Sequence, residues 1–134
     1  MKEDAQFYVG QKAFIQKGDE VLVLGDPLEG LDYPGGKIQQ GETDIIESLK
    51  REVREETGLE IEVGEPFATW TNTFPPHHKL AGKQVYLVGY RCKYISGEVK
   101  LSHEHDKFNW VNKDNYKEVD DGTSYFDILD KYFK

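Results

Sequence analysis

The sequence predicts an α+β fold in which a mixed sheet is covered by helices. Three observations predict it: period-two apolar alternation on both sides of a central segment, a helical apolar spacing over residues 45–57, and a second helical spacing over residues 124–133. With 134 residues, 37% hydrophobic and 13% aromatic content, the chain can build one domain, residues 1–134, around its own core. No internal repeat, low-complexity run or linker divides it.

In chain order, residues 6–16 and 21–24 read as two strands joined by the turn Lys17-Gly18-Asp19-Glu20. Residues 25–33 read as a loop leading into the glycine-rich turn Pro34-Gly35-Gly36. The central helix is expected over residues 45–57. Asp44 and Glu47 form its capping pair, Gly58 stops it, and Ile46, Leu49 and Val53 form its buried stripe. Residues 59–63 and 68–73 look extended, and Phe74-Pro75-Pro76-His77-His78-Lys79 is a proline-broken loop. Residues 84–94 form a strong strand, Ile95-Ser96-Gly97-Glu98 a turn and residues 107–111 a further strand. The terminal helix, 124–133, carries Tyr125, Ile128, Leu129 and Phe133 on its apolar side. Asp120-Asp121-Gly122 reads as a turn before it.

A net charge of −8 argues against binding a nucleic-acid duplex, which relies on Lys and Arg displacing counterions. It does not exclude a phosphorylated small molecule, because bound cations can make a local field positive. No stretch approaches the ~18 to 20 apolar residues of a membrane helix and no apolar leader follows Met1, so no membrane partner and a cytoplasmic location are the expectation. Cys92 is the only cysteine, so no intrachain disulfide or cysteine-rich zinc site is possible. It reads as a packing residue in a strand.

The most informative segment is Arg51-Glu52-Val53-Arg54-Glu55-Glu56. On a helix, Glu52, Glu55 and Glu56 are surface neighbours at i, i+3 and i+4. Converging carboxylates repel one another, and a hard divalent ion such as Mg²⁺ or Mn²⁺ relieves that repulsion. A solvated acidic face is the simpler alternative, but it leaves the adjacent glycine turn unexplained. The stretch from Gly36 through Glu42 to Arg51-Glu52-Val53-Arg54-Glu55-Glu56-Thr57-Gly58-Leu59 resembles the signature box of Nudix hydrolases of the MutT-like kind. It departs in spacing, with eight residues between Glu42 and Arg51 where the family has seven. The extra residue is expected where the loop enters the helix, upstream of the glutamates. Just before the turn, Leu31-Asp32-Tyr33 replaces the tryptophan and leucine common in the family.

The resemblance implies a Nudix-like α/β/α sandwich with a mixed central sheet. It implies metal-dependent hydrolysis of a nucleoside diphosphate linked to another moiety, with metal-bridged phosphoryl oxygens and in-line attack by water. Carried over by position, Glu52, Glu55 and Glu56 are metal ligands, the Gly36 carbonyl a further one, Arg51 an orienting partner and Glu42 structural. Glu104 is the loop candidate for the general base, weighed against an exposed turn residue. Lys12, Lys37 and Arg51 are the basic candidates for phosphate, although surface lysines are equally common. Tyr8, Trp70, Phe74 and Trp110 are candidates for stacking on a base, with core packing the safer reading for most aromatics. Lys37, Tyr8 and Trp70 are the substrate-binding expectation. His103-Glu104-His105 with His77 and His78 lacks zinc-type spacing, and these histidines are expected at the surface or facing substrate.

Substrate signals diverge. Pro75 resembles a proline of ADP-ribose hydrolases, whereas Leu101-Ser102-His103-Glu104-His105 followed by Trp110-Val111 resembles dinucleoside polyphosphate hydrolases, and nucleoside triphosphate hydrolases share such segments. The competing class is a Nudix-fold nucleotide sensor without turnover, disfavoured because all three box glutamates are kept. A monomer and a homodimer are equally compatible with the sequence.

Overall fold

The computed structural model describes residues 2–134. Seven strands and two helices run in the order β1 (Phe7–Lys17), β2 (Glu20–Asp26), β3 (Gly30–Asp32), β4 (Gly35–Lys37), α1 (Ile45–Thr57), β5 (Glu60–Thr73), β6 (Gln84–Ser96), β7 (Lys107–Val111) and α2 (Ser124–Phe133), with a 3₁₀ turn at Tyr116–Val119. The sheet is mixed. β1 runs parallel to β6 from Phe7↔Gln84 to Gln16↔Lys93, and the other pairings are antiparallel. The order across the sheet is β3-β2-β1-β6-β5, with β4 added on β1 and β7 on β2. No helix among the described residues is long and apolar enough to cross a membrane.

Strand alternation divides the core into two layers. Ala13 and Ile15 of β1 and Leu22 and Leu24 of β2 pack with Leu49 and Val53 of α1. The intervening Phe14, Val21 and Val23 pack with Leu129, Phe126 and Tyr132 of α2. Both faces of β1 and β2 are therefore covered, which is why their buried stretches read as nearly continuous apolar runs. Phe14 stacks on Tyr33 with ring centroids 4.1 Å apart.

α1 has the bounds and caps that its sequence predicts. The Asp44 carboxylate accepts from the Glu47 N–H, and Gly58 adopts the left-handed conformation with its N–H on the Arg54 carbonyl. Several expectations are corrected elsewhere. The loop over residues 25–33 contains β3, because Leu31 pairs with Gly25 and its side chain enters the second core layer. The extended segments 59–63 and 68–73 are one strand. β5 passes Pro66 through register shifts, so the missing proline N–H interrupts the ladder without ending the strand. β6 runs on through Ser96, and the turn begins at Gly97 (φ 104°). The Tyr116–Val119 turn was missed. Its local signal is side-chain chemistry, since Asn112 Oδ1 accepts from the Asn115 N–H while Asn115 Oδ1 accepts from the Asn112 N–H.

On α2 the buried residues are Phe126, Leu129 and Tyr132, with Tyr125, Ile128 and Phe133 only partly buried. The helix is apolar on most sides, so its own periodicity does not fix its rotation. Tertiary bonds do: the Tyr33 hydroxyl donates to the Tyr125 carbonyl (2.6 Å) and the Tyr116 hydroxyl to Asp130 (2.6 Å).

Asp121 gives the acidic turn before α2 its purpose. One oxygen accepts the Leu31 N–H of β3 (2.9 Å), and the other accepts the N–H and hydroxyl of Thr123, the α2 N-cap (3.1 and 2.6 Å). Its pKa lies below the ordinary 3.8 because these hydrogen bonds outweigh partial burial. A depressed carboxylate stabilises the fold above its unfolded pKa and loses that contribution as pH falls through the folded value. The expected result is that Asp121→Asn melts below wild type at pH 7, with the gap narrowing on acidification below about pH 4. Thermal melts of both proteins across that range check it, and a gap independent of pH would contradict it.

Candidate active site

The site forms where the C-terminal end of α1, the β4 turn and the loop before β7 meet. Helix ends leave carbonyls without partners. Here the Thr57 carbonyl accepts the Lys100 N–H (2.8 Å) and the Glu56 carbonyl accepts the Ser102 N–H (3.1 Å), which docks the 101–106 loop on the helix. The other end of that loop is held by the Asp106 N–H on the Gly25 carbonyl (3.2 Å).

β4 approaches from the other side. The Gly35 N–H donates to Glu56 Oε1 (2.8 Å). Lys12↔Gly35 is an outward-facing pair of the antiparallel ladder, which frees the Gly35 peptide groups for the helix. Gly36 lies opposite Gln11, between bonds at Ala13–Pro34 and Val9–Ile38, so its peptide groups face β1. Of the two glycines it is therefore Gly35, not the expected Gly36, that presents backbone toward Glu56. At 36 the absent side chain instead leaves room for the Glu52 carboxylate, whose movable end would lie 2.7 Å from a Cβ there.

The three box glutamates occupy different environments rather than one shared exposed face. Glu56 is buried and Glu55 exposed, with Glu52 between them. Burial raises the Glu56 pKa to about 7, against the pull of Lys12 and the Gly35 N–H. Glu52 is raised as well, by burial first and then by the charges of Glu55 and Glu104, against the opposing effect of Arg51. Arg51 gathers the acidic groups: its guanidinium reaches Glu42 (2.9 Å), Glu52 (3.3 Å) and Glu55 (3.0 Å). Glu42 is held further by the Gln39 N–H and the Ser48 hydroxyl, and its pKa is lowered by those bonds and by Arg51. The glutamates turned toward Arg51 are not the ones that converge most tightly. A ligating atom of each of Glu56, Glu104 and His105 lies within 4.8 Å of the others.

Of the two places expected for His105, at the surface or facing substrate, its burial excludes the first, and it borders a cleft. Its Nε2–H donates to Asp32 Oδ2 (2.9 Å). Burial opposes its protonation, but the Asp32 bond and charge raise its pKa overall. Asp32 also pairs with Lys12 (3.0 Å) and accepts the Tyr33 N–H (2.8 Å). Burial alone would raise the Asp32 pKa, yet Lys12 and these bonds lower it to about 2. The bond between Asp32 and His105 carried no sequence signal, because it spans 73 positions.

A cleft of about 500 Å³ opens over this network, lined among others by Lys12, Lys37, Lys79, Glu56, Glu104 and Phe74. Lys37 Nζ lies 5.6 Å from the Phe74 ring centre, and burial and the charges of Lys79 and Lys12 lower its pKa. Tyr8 stands at the border, edge-on to Phe74 at 6.1 Å. Trp70 does not line the cleft; it packs edge-on against Tyr125 at 5.6 Å, within the α2 layer. A second depression of about 330 Å³ adjoins the cleft through Leu28, Glu29, Asp32 and Tyr125 and extends to Asn72, Pro75 and His77.

The donor chemistry fits a divalent cation: carboxylates at graded burial, a backbone turn without side chains, and a buried ring nitrogen, His105 Nδ1, with no partner.

The chain is similar to nucleoside triphosphatase NudI of Klebsiella pneumoniae, 29% identical over 100 residues, covering 66% of this chain and 69% of that protein. It is also similar to the CTP pyrophosphohydrolase of Escherichia coli, 28% identical over 105 residues, covering 75% of this chain and 72% of that protein. The MutT protein of Methanosarcina mazei Go1 shares the fold with a TM-score of 0.79 at 24% identity, covering 98% of this chain and 96% of that one. The NUDIX domain matches residues 9–131, and the chain therefore belongs to the NUDIX family and is an enzyme of the Nudix hydrolase type.

Proposed function

We propose that residues 1–134 act as one catalytic domain that hydrolyses a phosphoanhydride bond of a nucleoside triphosphate, releasing pyrophosphate and a nucleoside monophosphate. The observation that carries this reading is that one cleft in an acidic protein holds both a lysine group and the convergent Glu56, Glu104 and His105. The similarity to enzymes named for nucleoside triphosphate and CTP hydrolysis supports the substrate class.

Glu52, Glu55 and Glu56 would hold Mg²⁺ or Mn²⁺, with Gly35 taking the backbone position expected for Gly36. When bound, the ion supplies charge neutralisation at the phosphoryl oxygens and makes phosphorus more electrophilic. Lys37 and Lys79 bind the phosphate chain, while Lys12, engaged by Asp32, sets the floor of the cleft. Glu104 takes a proton from the attacking water as its oxygen bonds to phosphorus and the bridging P–O bond breaks. Arg51 holds Glu52 and Glu55 in place and keeps Glu42 as a structural brace. With eight residues between Glu42 and Arg51, the loop still reaches Arg51 through Glu42. Phe74 and the depression beside Tyr125 receive the nucleoside, with Tyr8 at the margin and Trp70 supporting Tyr125 from behind.

Chromatography after incubation with Mg²⁺ or Mn²⁺ and a panel of nucleoside triphosphates, ADP-ribose and dinucleoside polyphosphates tests this. EDTA-sensitive release of pyrophosphate from a nucleoside triphosphate is expected. Thermal stabilisation by a nucleotide without cleavage of any panel member would replace this reading with a nucleotide sensor.

A further inference from the structure

We infer that His105 is a nitrogen ligand of the metal centre, which makes the site a mixed nitrogen–oxygen one that prefers Mn²⁺ over Mg²⁺. The inference rests on the proposed reading in that Glu56 holds a cation there.

The argument begins with the two ring nitrogens. The His105 side chain is 3% exposed, and its Nε2 lies 2.9 Å from Asp32 Oδ2. Asp32 already accepts from Lys12 and from the Tyr33 N–H, so it is the acceptor and Nε2 carries the proton; in the neutral ring Nδ1 then keeps its lone pair. Nδ1 is buried and has no hydrogen-bond partner. Unpaired buried polar atoms are uncommon, and those that occur call for an explanation such as an ion or an ordered water. The surroundings favour an ion, since Glu56 and Glu104 each bring an oxygen within 4.8 Å of a His105 nitrogen.

The groups behind His105 match what a ligating imidazole needs. Metal-bound histidines commonly donate their second N–H to a carboxylate, which fixes the tautomer and the ring orientation. Asp32 does this here, and it is itself held by Lys12 and the Tyr33 N–H. The loop bearing His105 is anchored at Ser102 and Asp106, so the ring is placed before any cation arrives. Imidazole suits first-row transition ions, whereas Mg²⁺ prefers oxygen donors and its own water.

The test uses the full chain, stripped of metal with EDTA, and Mn²⁺ as the probe. Pulsed electron paramagnetic resonance of the bound Mn²⁺ should show hyperfine coupling to a directly coordinated ¹⁴N, and the coupling should vanish in His105→Gln. Titration of the free Mn²⁺ signal should show an affinity loss on the order of 10-fold or more in that variant, with Mg²⁺ affinity changed much less. Wild-type Mn²⁺ bound without ¹⁴N coupling overturns the inference, and coupling that survives His105→Gln assigns the nitrogen elsewhere and overturns it too. The wild-type spectrum decides the matter even if the variant folds poorly. Turnover of a nucleoside triphosphate without ¹⁴N coupling sinks this inference alone. The coupling without turnover supports it while removing the proposed function.

Discussion

Replacing Glu55 with glutamine is expected to lower turnover on the order of 10³-fold, about 4 kcal/mol of transition-state stabilisation, while leaving the fold almost untouched. The asymmetry follows from where Glu55 sits. Its side chain is 57% exposed, and its one ion pair, to Arg51 at 3.0 Å, joins two partly exposed groups. Such pairs contribute about 0–1 kcal/mol, so the melting temperature should move by no more than a few degrees. Its proposed catalytic task, by contrast, needs a negative charge that glutamine cannot supply. Steady-state kinetics with Mg²⁺ alongside thermal melts separate the two effects. Turnover within a few-fold of wild type would remove Glu55 from the machinery, whereas a large loss of stability would mean that the Arg51 cluster holds the fold rather than the chemistry.

Gly35→Ala is expected to do the opposite and damage the fold first. A Cβ at this position would stand 1.9 Å from the Gln11 carbonyl oxygen, 2.9 Å from its carbon and 3.0 Å from the Lys12 Cα, at a φ of +153° that L side chains rarely adopt. All three atoms are backbone of a buried strand, so none can step aside without moving β1. A cost on the order of 3–5 kcal/mol follows from combining backbone strain with disrupted packing. That corresponds to a fall in melting temperature of roughly 10 °C or more. Gly41→Ala is the matched control, since its φ is +88° but nothing lies within 4 Å of an added Cβ. Strain without collision should cost it only about 1–2 kcal/mol. Equal melting temperatures for the two variants would show that the close approach of β4 to β1 is not what requires glycine at 35.

These two variants mark the division between what was legible in the chain and what was not. Glu55 belongs to a helix whose caps, bounds and carboxylate spacing are local. Asp44, Glu47 and Gly58 act within a few residues of where they stand, and their sequence positions suffice to place them. The same holds for β7 and for the buried packing role of Cys92. The sequence pointed to Gly36, and only the register against β1 shows that it is Gly35 that turns its N–H to Glu56.

By itself, then, the sequence determined the layered α+β architecture, the central helix with its glutamates, and the family to which they belong, because each of these depends on short-range periodicity and spacing. The tertiary structure decided the rotation of α2, the unequal burial of Glu52, Glu55 and Glu56, and the meeting of Lys12, Asp32, Glu56, Glu104 and His105 around one cleft. Those residues lie on β1, β3, α1 and the 101–106 loop, and they come together because free carbonyls at the end of α1 capture that loop while the parallel and antiparallel ladders fix β1 and β4 beside it. A hydrogen bond across 73 residues leaves no periodicity in the chain, so the buried histidine beneath the cleft became visible only in three dimensions.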